Sequence, residues 1–254
     1  NSRSGKGALI WKGLEGILNE RNVEYKTFFT EYRGHAVLLS ESITSYAAPE
    51  NPVTLIAVGG DGTILHASKI ATAHGLPILG VNIGTMGFIA ELEAGELELL
   101  RKLPTGDYTL EPRSMIDVTV TGANGQKLLH ETALNDAVIT KGAIARVVQL
   151  SITCDGVEAT SFSGDGVILC TPTGSTAYSM SAGGPIVEPS AKNFLITPIC
   201  AHAMLAKSIV VAPDRVIAVR VGKVGRHNAF LSVDGGRAFR LNVGDEIVVK
   251  SSQK

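Results

Sequence analysis

Helical and extended patterns of apolar residues alternate along the first 108 residues of this chain. Positions three and four apart are apolar in the helical segments, whereas short runs of β-branched and aromatic residues mark the extended ones. The predicted elements are, in order, a helix at Ala8–Arg21, a strand at Glu24–Phe29, a helix at His35–Tyr46, a strand at Val53–Val58, a helix at Ile64–His74 and a strand at Pro77–Val81. This alternation is typical of a parallel sheet covered by helices, so we expect residues 1–108 to form an α/β domain.

The pattern changes after Tyr108, where short apolar strands follow one another and helical spacing is scarce. Predicted strands lie at Ile116–Val120, Ala137–Thr140, Val147–Thr153, Gly166–Thr171, Ser208–Ala212, Val216–Val221, Ala229–Val233 and Glu246–Lys250. Closely spaced strands separated by turn residues favour a sandwich or barrel. We therefore expect residues 109–254 to form a β-rich, sandwich-like second domain, with the end of the chain returning to the first domain.

Composition and charge exclude several classes of function. The chain has 23 basic and 24 acidic residues and 5% aromatic residues, so nothing in its charge or aromatic content favours binding to nucleic acid or to an anionic membrane. Its three cysteines are far apart and form no CxxC pair, which argues against a zinc site or a disulfide framework. No apolar stretch is as long as a membrane span and no signal-peptide pattern is present, so we expect a cytoplasmic protein.

A glycine-rich loop follows the buried strand at Val53–Val58. It reads Gly59-Gly60-Asp61-Gly62-Thr63, and its small residues let backbone N–H groups approach a phosphate closely. Asp61 is the only charged residue of this loop. It could accept a proton from an attacking hydroxyl group or hold a metal ion, and a tight turn with an Asx-type hydrogen bond is the structural alternative.

A second glycine-rich loop, Gly80–Phe88, follows the next predicted strand. Parallel strands end at the same edge of their sheet, and open α/β sheets bind ligands at that edge. The two loops are therefore expected to lie side by side and to form one ligand site.

Two polar segments in the second half of the chain are further candidates. Asn135-Asp136 precedes an apolar strand and could bind a ribose or an amide, although a turn explains the pair equally well. The segment Asp165–Ser181 runs from a strand through a Pro/Gly/Ser/Thr turn into a predicted helix, where hydroxyl and N–H groups favour phosphate or ribose oxygens. An ordinary helix N-cap explains one hydroxyl group there, but not seven.

Together these segments resemble the NAD kinases. The resemblance covers about residues 53–250 and rests on Gly59–Thr63, Gly84–Phe88, Asn135-Asp136, Asp165-Gly166, Thr171–Tyr178, Ser181–Ile186, Pro198–His202 and Ser232–Gly235. It implies an α/β ATP-binding domain, a β-rich NAD-binding domain and phosphorylation of the adenosine-ribose 2′-hydroxyl of NAD to give NADP. It also implies ATP or polyphosphate as the donor, a divalent metal such as Mg²⁺, and a homo-oligomer (dimer or tetramer).

The resemblance assigns roles to individual residues. Asp61 matches the catalytic aspartate of the family. The donor phosphates are expected at Gly59, Gly60, Gly62 and Thr63. NAD is expected at Gly62, Phe88, Asn135, Asp136, Asp165, Thr173, Thr176, Ala177, Tyr178 and Ser181. Asp136 stands where the family usually has Glu, which draws the carboxylate back by one methylene group.

The first 45 residues resemble a different family. Asn1–Gly7 and Thr30–Ala36 are similar to the start of diacylglycerol-kinase-type lipid kinases, which share the GGDGT loop. This similarity suggests a strand ahead of Asn1 and a chain recombined at the shared loop. A lipid kinase and a catalytically silent NAD-binding protein are therefore the alternative functions. The lipid-kinase pattern Pro-x-Gly-Thr-x-Asn-Asp is absent after the second strand, and a pure binding protein has no need of Asp61.

Overall fold

The computed structural model describes residues 5–29, 53–83, 87–142, 147–202, 206–222 and 229–253. The chain forms two compact units, Asn1–Glu111 and Pro112–Lys254. No helix in the described ranges is both long enough and apolar enough to cross a membrane.

The first unit is built around a small parallel sheet. Its elements are α1 (Gly5–Glu20), β1 (Leu55–Gly59), α2 (Asp61–His74), β2 (Ile78–Asn82), β3 (Leu92–Glu93) and a 3₁₀ helix (Leu97–Thr105). The sheet has the order β1-β2-β3, and the carboxyl ends of β1 and β2 lie side by side, with Gly59 opposite Asn82. The two glycine-rich loops therefore leave the sheet at the same edge, as the sequence predicted.

Helices cover both faces of this sheet because successive strand residues point to opposite sides. Ile56 and Val58 of β1 pack against the buried residue Leu14 of α1, and the cluster includes Leu100 of the 3₁₀ helix. Ala57, between them on the strand, belongs instead to the cluster around Ile64 of α2. The first unit is thus a layered α/β structure.

The second unit contains two six-stranded antiparallel sheets. Its elements are β4 (Ile116–Thr121), β5 (Lys127–Ala133), β6 (Asp136–Lys141), β7 (Val148–Cys154), β8 (Val157–Gly164), β9 (Gly166–Cys170), a 3₁₀ helix (Thr173–Thr176), α3 (Tyr178–Ser181), β10 (Phe194–Ile199), β11 (Ile209–Val211), β12 (Ile217–Val221), β13 (Ala229–Val233), β14 (Phe239–Leu241) and β15 (Glu246–Ser251). One sheet has the order β11-β10-β9-β6-β13-β14, and the other has the order β5-β4-β15-β12-β7-β8.

The two sheets share one apolar core. Val118 and Val219 from one sheet and Ile139 and Leu169 from the other are fully buried in the same cluster. The alternation of inward apolar and outward polar residues, clearest in β4, places every second side chain in that core. The predicted class, a parallel-sheet unit followed by a β-sandwich-like unit, is confirmed.

Three expectations about the chain segments have different outcomes. Glu24–Phe29 is not a strand: its Tyr25 and Phe29 rings make edge contacts with Trp11 of α1, at centroid distances of 5.9 and 5.8 Å. The helix predicted at His35–Tyr46 lies outside the described residues. The end of the chain stays in the second unit, because β15 pairs with β4 and β12.

Candidate functional site

Asp61 is the first residue of α2, directly after the glycines that end β1. Its carboxylate is held by the second glycine-rich loop: Oδ2 accepts a hydrogen bond from the Phe88 N–H at 3.1 Å, and Oδ1 accepts one from the Ile89 N–H at 3.4 Å. These partners are far away in the sequence, so the bonds are not those of a local Asx turn. The carboxylate has room for further acceptor contacts, because two N–H bonds use only part of its lone-pair capacity.

Gly87 lets the second loop come this close to Asp61. A Cβ atom built on Gly87 would lie 2.4 Å from Asp61 Oδ1, well inside van der Waals contact. Residue 87 must therefore be glycine if the Asp61 carboxylate is to keep this position. The contact restricts the conformation of both the loop and the carboxylate.

The glycines of the first loop differ in what surrounds them. A Cβ atom on Gly59 would collide with the Thr63 side chain, at 2.3 Å from its Oγ1. On Gly60 or Gly62 it would meet no atom within 4 Å. The close approach of the Thr63 side chain explains why residue 59 is glycine. No such contact requires glycine at residues 60 and 62, where the lack of side chains leaves the backbone uncovered at the N-terminus of α2. No side chain caps this terminus, so its first N–H groups can bind an anion.

Asn135 and Asp136 join β5 to β6 in the second unit, and both are buried. Burial, together with the negative charge of Asp234, raises the pKa of Asp136 from 3.8 to about 7. Gly174 packs directly on this segment, since a Cβ atom there would lie 2.1 Å from the Asn135 carbonyl oxygen. The structure thus brings Asn135 and Asp136 together with the start of the hydroxyl-rich segment.

The buried Asp136 carboxyl predicts a pH-dependent stability. The folded state binds this proton more tightly than the unfolded state does, so stability falls as the pH rises from about 4 to about 7, by up to about 4 kcal/mol. Asp136→Asn cannot ionise and should be more stable than the wild type at pH 8, with the difference shrinking towards pH 5. Urea unfolding of both proteins at several pH values measures this, and parallel pH profiles would contradict it.

Most hydroxyl groups of the segment Thr171–Ser181 have structural partners. Thr171 donates to the Leu134 carbonyl oxygen and accepts from the Gly174 N–H, while Ser175 Oγ accepts from the Val187 N–H at 3.0 Å. Ser179 bonds to Thr197 at 2.8 Å. The pattern of hydroxyl groups predicted one ligand-binding set, but several of them hold a 3₁₀ turn and a single turn of α-helix against the sheet.

Two buried polar atoms stand out at this place. In the described part of the chain, Asn135 Oδ1 and Thr173 Oγ1 are the buried side-chain atoms that make no hydrogen bond. Buried polar atoms without a partner are costly, so atoms of this kind mark where a ligand or an ordered water binds. Both residues belong to the predicted NAD-binding set.

The other predicted residues are distributed as follows. Thr176 donates to the Thr173 carbonyl oxygen, Ala177 is half-buried, and Ser181 is exposed. Phe88 and Tyr178 are 54% and 45% exposed, so part of each aromatic side chain is accessible at the surface.

Asp165 is not brought together with Asn135 and Thr173 within the second unit. It precedes β9, whereas Thr171 and Thr173 follow that strand, which separates them by roughly 20 Å of extended chain. Asp165 instead forms an ion pair with Lys141, at the end of β6. Sequence reasoning missed Lys141, because nothing local distinguishes it from a solvated lysine.

Asp234 lies in the segment Ser232–Gly235 that contributed to the resemblance, but sequence reasoning assigned it no role. Its carboxylate accepts hydrogen bonds from the N–H groups of Leu134, Asn135 and Asp136 at 2.9, 2.8 and 3.1 Å. The Asp-Gly pair at 234–235 signals a turn, but its partners lie about 100 residues away and have no local signature.

No group of three or more His, Cys, Asp or Glu side chains in the described ranges is arranged to hold a metal ion. The carboxylate of Asp61, beside the uncapped N-terminus of α2, is the acidic group of the glycine-rich loop.

Family models and relatives match this chain over most of its length. The ATP-NAD kinase N-terminal domain matches residues 44–108, and the ATP-NAD kinase C-terminal domain matches residues 134–254. An NAD kinase of Carboxydothermus hydrogenoformans is 44% identical over 199 residues, covering 78% of this chain and 70% of the relative. An NAD kinase of Natranaerobius thermophilus is 37% identical over 255 residues, covering 99% of this chain and 87% of the relative.

Solved structures show the same similarity. Yeast NADH kinase complexed with NADH has a TM-score of 0.74 at 26% identity, and the match covers 91% of this chain and 77% of that one. An NAD kinase from Archaeoglobus fulgidus in complex with ATP has a TM-score of 0.73 at 27% identity and covers 99% of this chain and 88% of that one.

These matches also bear on the first 45 residues. A single NAD kinase aligns with 99% of the chain, so the comparisons give no support to a recombined chain with a lipid-kinase segment at its start. Two family domains, relatives at 37–44% identity and two solved structures point in the same direction. The chain therefore belongs to the NAD kinase family.

Proposed function

We propose that this protein transfers the terminal phosphoryl group of ATP to the adenosine-ribose 2′-hydroxyl of NAD, giving NADP and ADP. Membership of the NAD kinase family supports the reaction. The position of the Asp61 carboxylate is the observation that assigns this reaction to particular residues. The carboxylate accepts hydrogen bonds from two backbone N–H groups and lies beside the uncapped N-terminus of α2. A base next to an anion-binding backbone is the arrangement that phosphoryl transfer to an alcohol needs.

In this mechanism Asp61 is the general base. It accepts the proton of the 2′-hydroxyl while the 2′-oxygen forms a bond to the terminal phosphorus. The bond from that phosphorus to the bridging oxygen breaks, and ADP leaves with the bond's electron pair. The Phe88 and Ile89 N–H groups keep the carboxylate pointing in one direction, so it is in place before the proton moves.

The first glycine-rich loop is assigned to the donor. Gly59, Gly60, Gly62 and Thr63 bind its phosphates through backbone N–H groups and the Thr63 hydroxyl group. The bare backbone of Gly60 and Gly62 supports this assignment. The Asp61 carboxylate has the chemistry and the spare acceptor capacity to hold a divalent cation such as Mg²⁺, which would neutralise charge on the donor phosphates when bound.

The NAD-binding assignments follow the two-unit division of the chain. We assign residues 1–108 to ATP binding and residues 109–254 to NAD binding, and we assign Gly62 and Phe88 to NAD binding as well. Asn135 Oδ1 and Thr173 Oγ1 are the strongest candidates in the second unit, because NAD would supply the hydrogen-bond partners that they lack. The remaining assignments are Asp136, Asp165, Thr176, Ala177, Tyr178 and Ser181. A homo-oligomer and a cytoplasmic location stay predictions.

The deciding assay supplies purified protein with NAD, ATP and Mg²⁺ and measures NADP with an NADP-dependent dehydrogenase. We expect NADP to form in step with ADP. Parallel reactions replace ATP by polyphosphate, or NAD by NADH or diacylglycerol. Phosphorylation of diacylglycerol without NADP formation would overturn the proposal in favour of a lipid kinase, and NAD binding with no product from either donor would leave a silent binding protein.

Gly62→Ala tests the donor site. A methyl group at this exposed helical position meets no protein atom, and alanine favours a helix over glycine by about 1 kcal/mol, so the melting temperature should stay level or rise slightly. The added methyl group should nevertheless obstruct the donor phosphates and raise the KM for ATP at least about tenfold, the effect of losing one hydrogen bond to a charged group.

The matched control is Gly16→Ala, because Gly16 is an exposed glycine inside α1 that also has no neighbour within 4 Å of a built Cβ atom. It should gain the same helical stability with no change in KM. An unchanged KM for ATP in Gly62→Ala would remove Gly62 from the donor site.

A further inference from the structure

A buried carboxylate from the turn after β13 anchors the segment that carries Asn135 and Asp136. Asp234 is only 7% exposed, and its two carboxylate oxygens accept three consecutive backbone N–H groups, those of residues 134–136. The Asp234 N–H in turn donates to the Asp136 carbonyl oxygen at 2.9 Å. The backbone and the side chain of Asp234 therefore both bind the same short segment.

The turn itself does not require a carboxylate. Asp234 and Gly235 have left-handed φ angles of 49° and 63°, and the Gly236 N–H donates to the Val233 carbonyl oxygen to close the turn. Asparagine and glycine adopt this conformation at least as readily as aspartate does. What aspartate adds is a pair of negatively charged acceptors for N–H groups that lie in another strand connection.

We propose that Asp234 is a positioning residue that holds Asn135 and Asp136 in the geometry needed to bind NAD. This inference rests on the NAD kinase function proposed above. It assigns Asp234 no contact with the reacting atoms.

Asp234 also acts on the Asp136 carboxyl group electrostatically. Asp136 begins β6, opposite Cys170 of β9 and next to the turn that carries Asp234. Burial is the larger cause of the raised pKa of Asp136, and the negative charge of Asp234 is the smaller one. Burial raises the pKa of the Cys170 thiol to about 12, so this neighbour is neutral. Asp234 is then the neighbour whose negative charge opposes ionisation of Asp136.

Asp234→Asn is the deciding variant. Asparagine keeps the shape and tolerates the left-handed turn, but its amide nitrogen cannot accept the Leu134 N–H, and the negative charge is gone. We expect the KM for NAD to rise at least about tenfold, as for the loss of a hydrogen bond to a charged group, with kcat within about threefold. The pH at which NAD affinity changes should move to lower values, because Asp136 loses its like-charged neighbour.

The matched control is Asp245→Asn. Asp245 is equally buried, at 3% exposed, and its carboxylate also accepts a backbone N–H, that of Asn242 at 2.8 Å, but it lies at the turn before β15 in the opposite sheet. It should cost stability without changing the KM for NAD or its pH profile. A purely structural role for Asp234 predicts that both variants behave in this way, and that result would overturn the inference.

Two measurements separate this inference from the proposed function. A wild type that makes no NADP refutes the kinase proposal, whereas calorimetric titration of NAD into the wild type and Asp234→Asn still tests the positioning role. The carbon-13 signal of the Asp136 carboxyl group, assigned with Asp136→Asn, should titrate at a lower pH in Asp234→Asn than in the wild type, because the like-charged neighbour is gone. If Asp234→Asn does not fold, Asp234→Glu keeps the charge but moves the carboxylate by one methylene group; it should raise the KM for NAD, and an unchanged KM would overturn the inference.

Discussion

Asp61→Asn is expected to lower the turnover number at least about 100-fold while the affinity for NAD stays nearly the same, because the variant loses the general base. Asparagine has the same shape and can still accept one of the two N–H bonds from Phe88 and Ile89. It cannot take up the proton of the 2′-hydroxyl. Steady-state kinetics with NAD and ATP, together with calorimetric NAD binding, separates the loss of chemistry from the loss of binding.

Asp107→Asn is the matched control for this experiment. Asp107 is an exposed aspartate of the same unit that pairs with Lys102, so its replacement removes the same charge away from the loop. Its turnover should equal that of the wild type. A near-normal rate for Asp61→Asn would exclude Asp61 as the base, and a large loss of NAD affinity would make it a binding residue instead.

Gly87→Ala is expected to have an effect of similar size for a different reason. The new methyl group would lie 2.4 Å from Asp61 Oδ1, so the carboxylate must rotate or the loop must withdraw. Since the colliding atom ends a side chain, the protein should fold with a small loss of stability. The base would nevertheless be displaced by about 1 Å, and a misplacement of this size can lower turnover about 100-fold.

The control here is Gly95→Ala, in the same unit, where a built Cβ atom meets nothing within 4 Å. It should keep both turnover and melting temperature. If Gly87→Ala retains wild-type turnover, then the contact between the second loop and Asp61 does not matter for catalysis. If Gly87→Ala fails to fold, glycine at this position is needed for the fold itself and not only for the position of the Asp61 carboxylate.

These two variants test a part of the site that sequence reasoning anticipated well. The β-branched run before Gly59 and the run before Asn82 predicted neighbouring parallel strands, and parallel strands must end at the same edge of a sheet. The observed pairing of Gly59 with Asn82 and the bonds from Phe88 and Ile89 to Asp61 follow from that topology.

The hydroxyl-rich segment was anticipated less accurately. Its sequence indicated a turn with many possible ligand contacts, but it could not distinguish hydroxyl groups that bind the protein from those that remain unpaired. Ser175 and Ser179 find partners at Val187 and Thr197, whereas Thr173 Oγ1 finds none. That distinction depends on which strands and loops pack beside the segment, and a linear pattern does not contain it.

The fold class and the two glycine-rich loops could be predicted from the sequence, because apolar periodicity and turn chemistry act between near neighbours, and the motifs supplied the resemblance to the NAD kinases. The tertiary structure was needed to show that Asp234 binds residues 134–136 from about 100 residues away. The reason is physical: a carboxylate in the low-dielectric interior needs N–H donors, and the chain supplies them from whichever segment the fold brings close.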